Sequence, residues 1–315
     1  MNILISEVIW PEGVEILENQ GHKVTYDKEW YKNRRELLEH LRDADALIVR
    51  NQTKVDEELL SHAPNLKVIG RLGVGLDNIE RNEAENRGIS VISAKNANAV
   101  SVAEYVIQAV LSAGRPLHEA HKSVTEGKWE RKVHTGFEIS GKTLGFIGLG
   151  EISHRTAKRA KAFGMNVIGY DPFRTEYDYM IDETGVVKKE WEDVLRTSDF
   201  LSIHVPLNAA TKNLVDREAL QMMKPSAWVI NTARGGIVDE TALADTLHEG
   251  RLAGAFLDVL ENEPAQPENL ILHAPGVRLT PHIAGLTEES QKRISVMIAA
   301  EVNKELQGTP SLCRV

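Results

Sequence analysis

"LGFIGLGEISHRTAKRAKAFGMNVIGYD", residues 144–171, decides the fold. An apolar run ends at Ile147 and meets Gly148 and Gly150, spaced one residue apart. A stretch with helical spacing opens near Ile152, and a second apolar run ends on Asp171. The order is strand, tight turn, helix, strand, which is one half of a βαβ unit with a parallel sheet. The glycines suit a turn that brings backbone close to a phosphate. Gly148 makes the turn, and Gly150 leaves room for a pyrophosphate. The N–H groups of Glu151 and Ile152 at the helix start offer it donors and partial positive charge.

An acid is expected roughly 20 residues further on, at the end of the next strand, and Asp171 stands there. Its carboxylate would accept hydrogen bonds from ribose hydroxyls and repel a 2′-phosphate. NAD is therefore expected over NADP, with Arg174 three residues on as the counter-signal. The third glycine of the fingerprint is replaced by Ser153, at a position whose work is packing; serine there also serves as a helix cap. Glu151 suits the positive end of a helix, as a structural residue or with its carboxylate turned to solvent while its N–H contacts phosphate; the expected effect is a modest change in cofactor affinity, not loss of binding. The competing reading is an α/β unit whose glycines only make a turn.

Outward from this stretch the same alternation continues. Residues 2–6, 22–26, 46–50, 66–72 and 89–94 read as strands. Between them lie helical segments, one with Leu37, Leu38 and Leu41 on a single face. An apolar helix follows over 97–114 and is expected to run to about residue 126. A second set of strands covers "FLSIHVPL", "AWVINTAR", "AGAFLDV" and "VRLTPHIAG", and a last apolar helix spans 290–308. Two α/β domains, each a doubly wound parallel sheet, are the economical architecture.

Composition narrows the function. The 315 residues carry 46 acids against 37 bases, a formal charge of −9, which disfavours nucleic acid as a partner. The single cysteine, Cys313, permits no internal disulfide, so a reducing compartment such as the cytoplasm is expected. No apolar stretch approaches the roughly 18 residues of a membrane span. Apart from His204 and His282, the histidines form no HxxxH or Cys/His pattern, so no metal site is expected.

Three strand ends carry polar residues, and in doubly wound sheets ligands sit at those ends. "VINTARGG" places Arg234 there, "FLDVLENEP" places Asp258, Glu261 and Glu263, and "LTPHIAG" places His282. Each alone has a plain structural reading as a core histidine, a salt-bridge arginine or a turn acid. Together, "ARGGIVDE", "LDVLENEP" and "TPHIAG" behind the glycine turn resemble the D-2-hydroxyacid dehydrogenase family. "LIVRNQTKV", "LKVIGRLGVGLDNI", "SVAEYV" and "GKWERK" are similar to its phosphoglycerate dehydrogenase branch.

The resemblance implies a discontinuous, flavodoxin-like substrate domain, 1–97 with 287–315, and an NAD-binding Rossmann domain, 98–286. It implies His282 as acid/base, Glu263 as its carboxylate partner and Arg234 as binder of the substrate carboxylate. It implies cofactor contacts at Val205, Thr211, Thr232, Asp258, His282 and Gly285, and no assigned role for His204. The chemistry agrees. Oxidising a 2-hydroxy acid removes a hydroxyl proton, which histidine can take near neutral pH. The C2 hydride goes to nicotinamide, and arginine grips a carboxylate through a fork of two hydrogen bonds.

At the substrate end, the resemblance implies backbone N–H contacts from Gly73, Val74 and Gly75. It also implies a distal anionic group facing Arg50, whose plain structural reading is a strand-end surface charge; Arg71 is a further candidate cation nearby. The substrate is then a small 2-hydroxy or 2-keto acid with phosphate or sulfonate at its far end; phosphoglycerate and (S)-sulfolactate both satisfy this. A C-terminal regulatory domain is not expected. A homodimer joined through the NAD-binding domain, with helix 97–114 in the contact, is implied. An NAD(H)-sensing binding protein on the same fold is the alternative class.

Overall fold

The computed structural model describes residues 1–315. The chain divides into two compact units, Met1–Asn98 with Leu286–Val315, and Ala99–Gly285.

The first unit holds β1 (Asn2–Ile5), β2 (Lys23–Tyr26), β3 (Ala46–Val49), β4 (Val68–Arg71) and β5 (Ser90–Ser93). They lie in the order β2-β1-β3-β4-β5, all parallel. The chain adds strands to one side of β1 and then, from β3 on, to the other, so the carboxyl ends of β1 and β3 form a switch point where such sheets receive ligands. Alternate residues supply opposite faces. Ile3 and Ile5 pack with Ile294, Ile298 and Val302 of the helix Glu288–Leu306. Leu4 packs with Leu37 and Leu41 on the other face, while Leu38 lies at the margin. That last helix therefore belongs to the first unit because its apolar stripe covers one face of this sheet.

The second unit holds β6 (Thr143–Ile147), β7 (Asn166–Tyr170), β8 (Val187–Lys188), β9 (Phe200–Ile203), β10 (Trp228–Asn231), β11 (Gly254–Leu257) and β12 (Val277–Leu279). Their order is β12-β11-β10-β9-β6-β7-β8, again all parallel. Here the switch point falls between β6 and β9. Both units are thus doubly wound α/β folds. No helix is long and apolar enough to cross a membrane.

Two expectations change. The apolar helix ends at Gly114, and a separate helix, Leu117–Thr125, follows. Pro116 has no N–H to continue the ladder and disfavours helical backbone at Arg115. The helix Ala99–Gly114 also buries its apolar residues inside its own unit, with Val106, Ile107 and Val110 against Phe146, Leu149 and Ala160. The exposed apolar residues lie just beyond it, at Leu117, Val124, Trp129 and Val133. Secondly, β9, β10 and β12 stop at Ile203, Asn231 and Leu279, short of the apolar runs. His204, Thr232, Arg234 and His282 consequently sit on turns just past strand ends.

Candidate active site

The glycine turn follows β6 at the switch point. Gly148 has φ +90°, and a Cβ there would meet the His204 carbonyl oxygen at 2.6 Å. Packing and conformation both exclude a side chain. Gly150 differs: it is the N-cap of the helix Glu151–Ala162, and a Cβ on it would meet nothing within 4 Å. Nothing in the protein requires glycine at 150, whereas a phosphate over the helix start would.

Ser153 is not a cap. It lies inside the helix, is 1% exposed, and its hydroxyl donates to the Gly148 carbonyl at 2.6 Å. The serine that replaces a packing glycine thus ties the helix to the turn. Glu151 does not extend into solvent; it pairs with Arg155, one helical turn on, at 2.5 Å. Ile152 is half-buried beside it.

Asp171 follows β7. Its Oδ2 accepts from the Leu149 N–H at 2.9 Å and its Oδ1 from the Phe173 N–H at 2.9 Å. The carboxylate is thereby held beside the glycine turn with each oxygen only partly used. Arg174 is drawn to Asp178 at 2.6 Å, so its charge is already met within its own segment.

Past β9, the His204 Nε2 shares a 2.8 Å hydrogen bond with Ser202 Oγ. The residue as a whole is half-buried, but its ring is enclosed, and burial pushes its pKa down to about 3. A neutral, structural imidazole results. Val205 is half-buried on the same turn. The Thr211 hydroxyl donates to the Pro206 carbonyl at 2.6 Å and accepts from the Asn208 N–H at 2.8 Å, closing its own loop. Past β10, Thr232 is 9% exposed and its Oγ1 is buried with no hydrogen-bond partner. A buried orphan hydroxyl costs stability unless something bonds to it. Together with the open space above Gly150, it shows that these residues fit a bound dinucleotide.

The polar residues expected at the ends of β10, β11 and β12 follow those strands in the structure. His282 Nδ1 and Glu263 Oε2 are 2.7 Å apart, with side-chain exposures of 45% and 39%. The other Glu263 oxygen accepts from the Leu260 N–H at 3.1 Å. Burial raises the Glu263 pKa, but the hydrogen bond and charge of His282, the Leu260 N–H and the charge of Arg234 outweigh it, and the carboxyl is held below its ordinary value. Arg234 Nη1 donates to the Ala233 carbonyl at 2.6 Å.

His282 has φ +57°, in the left-handed region. Its N–H donates to the carbonyls of Asp258 at 2.8 Å and Thr280 at 3.0 Å. Asp258, 2% exposed, closes this loop. Its Oδ1 accepts from the Ile283 N–H at 2.7 Å and the Thr280 hydroxyl at 2.6 Å; its Oδ2 accepts from the Ala284 N–H at 2.7 Å. Because Thr280 gives its only proton to Asp258, the Tyr105 hydroxyl, 2.5 Å away, must donate to Thr280. Gly285 ends the same loop. The structure therefore shows Asp258 as the clamp of the His282 loop, a task the sequence reading did not assign to it. Thr280 and Tyr105 were missed, since neither type signals a site by itself. Glu240 was missed too: it accepts from the Glu261 N–H and the Asn269 amide, holding the segment that carries Glu263.

In the first unit, Arg50 follows β3. It is half-buried, not a free surface charge: its guanidinium bonds to Gln291 and, at 3.5 Å, to the Val8 carbonyl. Burial lowers its pKa and the charge of Glu7 partly restores it. The Gly73 N–H is bonded to the Arg71 carbonyl at 2.8 Å, and Val74 is 41% exposed. Gly75 is half-buried.

The second unit thus presents a glycine turn, an acid at the end of the next strand and a His–Glu pair, all at the carboxyl ends of one doubly wound sheet. Residues 107–284 match the family model "D-isomer specific 2-hydroxyacid dehydrogenase, NAD binding domain", and the chain belongs to that family. It is 41% identical over 98% of its length to the D-3-phosphoglycerate dehydrogenase of Archaeoglobus fulgidus, but spans 58% of that relative. It is 42% identical to the (S)-sulfolactate dehydrogenase of Chromohalobacter salexigens, over 97% of this chain and 98% of the relative. A crystal structure of a glyoxylate reductase from Paecilomyes thermophila superposes with TM-score 0.89 at 29% identity, covering 100% of this chain and 98% of the other.

Proposed function

We propose that the protein is an NAD-dependent oxidoreductase acting at C2 of a small 2-hydroxy acid that carries a distal anion, of the phosphoglycerate or sulfolactate kind. The observation that carries this is the 2.7 Å pair of His282 Nδ1 and Glu263 Oε2. With Nδ1–H donating to the carboxylate, the neutral ring has its lone pair at Nε2. That nitrogen takes the substrate hydroxyl proton, and Glu263 stabilises the imidazolium that forms. The bound nicotinamide supplies the hydride acceptor. Arg234 holds the substrate carboxylate in its two-pronged fork. In the first unit, the N–H groups of Val74 and Gly75 are donors suited to an anion. Gly73 lies in the same loop, but its own N–H serves Arg71.

For the cofactor, Gly148 and Gly150 admit the pyrophosphate, the N–H groups of Glu151 and Ile152 bind it, and Thr232 bonds through its orphan hydroxyl. Val205 and Gly285 line the same end of the sheet. Asp171 binds the ribose hydroxyls. Asp171→Ala is expected to reduce the preference for NAD over NADP by about tenfold or more, the loss of a charge-assisted hydrogen bond and of a repulsion. Equal kcat/KM ratios in the two proteins would refute this role.

Arg50 faces the distal anion. The test is a panel of 3-phosphoglycerate, sulfolactate, glyoxylate and lactate, followed by NADH absorbance. Arg50→Ala is expected to raise KM roughly tenfold to a hundredfold for the phosphorylated or sulfonated acids and far less for lactate. Tight NADH binding with no turnover on any of the four would favour a nucleotide-sensing protein instead. Association as a homodimer through the NAD-binding unit is part of this reading, with the contact at Leu117, Val124, Trp129 and Val133 because the preceding helix has no apolar face left to offer.

A further inference from the structure

We propose that Glu7 is a positioning residue for the distal anion: its buried carboxylate gathers the backbone of residues 50–53 and thereby sets where Arg50 is presented. This rests on the reading of Arg50 given above. Glu7 lies two residues past the end of β1, at the switch point of the first sheet, and is 3% exposed. Its Oε1 accepts from the N–H groups of Arg50 at 2.8 Å and Thr53 at 2.9 Å. Its Oε2 accepts from those of Asn51 at 3.2 Å and Gln52 at 3.1 Å. Four consecutive N–H groups converge on one carboxylate.

The opposite edge of the same loop is also held. The Asn78 amide donates to the carbonyls of Thr53 at 2.7 Å and Arg50 at 3.3 Å, and the hydroxyls of Ser6 and Thr53 lie 2.8 Å apart. Converging N–H groups at a switch point form the kind of concavity that such folds present to an anion. Here the anion is the protein's own. The Arg50 side chain has little else to fix it beyond Gln291 and a long contact to Val8. Its position therefore follows its backbone, and its backbone follows Glu7.

A carboxylate accepts on both oxygens, an amide on only one. Glu7→Gln keeps the shape but aims an NH₂ at two N–H donors, so the loop must rearrange. The enzyme and its variants would be assayed with 3-phosphoglycerate, sulfolactate and lactate. Glu7→Gln is expected to raise KM for the two doubly anionic acids about tenfold, more than for lactate and more than it changes kcat. Glu7→Asp, which keeps the charge on a shorter arm, is expected to fall between Gln and wild type. Adding Glu7→Gln to Arg50→Ala is expected to raise KM by less than about twofold, because both act through one guanidinium. If Glu7→Gln lowers the unfolding temperature yet leaves the KM ratio between substrates at its wild-type value, while Arg50→Ala shifts that ratio, the proposal is overturned and Arg50 stands. If Arg50→Ala shifts all substrates alike, the Arg50 reading falls and this one with it. Should Glu7→Gln fail to fold, Glu7→Asp decides: a wild-type KM ratio overturns the proposal.

Discussion

Replacement of His282 by alanine is expected to reduce turnover by about 10²- to 10⁴-fold, the usual contribution of a positioned acid/base, while NADH binds nearly as before. The expectation follows from the orientation of one ring. Glu263 holds Nδ1, which leaves Nε2 as the only nitrogen able to exchange a proton with substrate. The backbone of His282 is left-handed, where asparagine is better tolerated than alanine. His282→Asn is therefore the control for local strain and should be equally slow. Stopped-flow and steady-state NADH absorbance measure both. Turnover within about tenfold of wild type in either variant would remove His282 from the mechanism.

Asp258→Asn is expected to cost nearly as much activity, although the change touches no reacting atom. Asp258 collects three hydrogen bonds from Thr280, Ile283 and Ala284, the residues on either side of His282. An asparagine presents a donor to at least one of these donors. The left-handed turn at His282 then loses its clamp, and a displacement near 1 Å at a catalytic group costs about a hundredfold in rate. Leaving buried donors unpaired also destabilises the unit by about 1–3 kcal/mol. The measurements are kcat together with the thermal unfolding temperature. A variant that unfolds earlier but turns over at the wild-type rate would show that Asp258 holds the fold without placing His282.

Much of this was legible in the residue order. The strand and helix periods, the glycine pair, Asp171 at the next strand end and the polar residues after β10, β11 and β12 are local signals. Each is set by the few residues around it, so spacing along the chain is enough to read them. The break at Pro116 was equally local, yet it was overridden by the apolar run on its N-terminal side. For Ser153 and Glu151 residue type alone is not enough: their partners, Gly148 and Arg155, make one a tie to the turn and the other a half-buried ion pair within its own helix.

The two doubly wound units and the placing of polar residues after the strand ends are legible in the residue order, because each strand end delivers its own side chain to one edge of a parallel sheet. What holds those side chains in place is visible only in the folded chain. Asp258 reaches residues 22 to 26 positions away, and Glu7 reaches a loop 43 to 46 positions away. Hydrogen bonds across such separations exist only once neighbouring strands have paired, and no local pattern of residues encodes which acid at a strand end will find four N–H groups waiting.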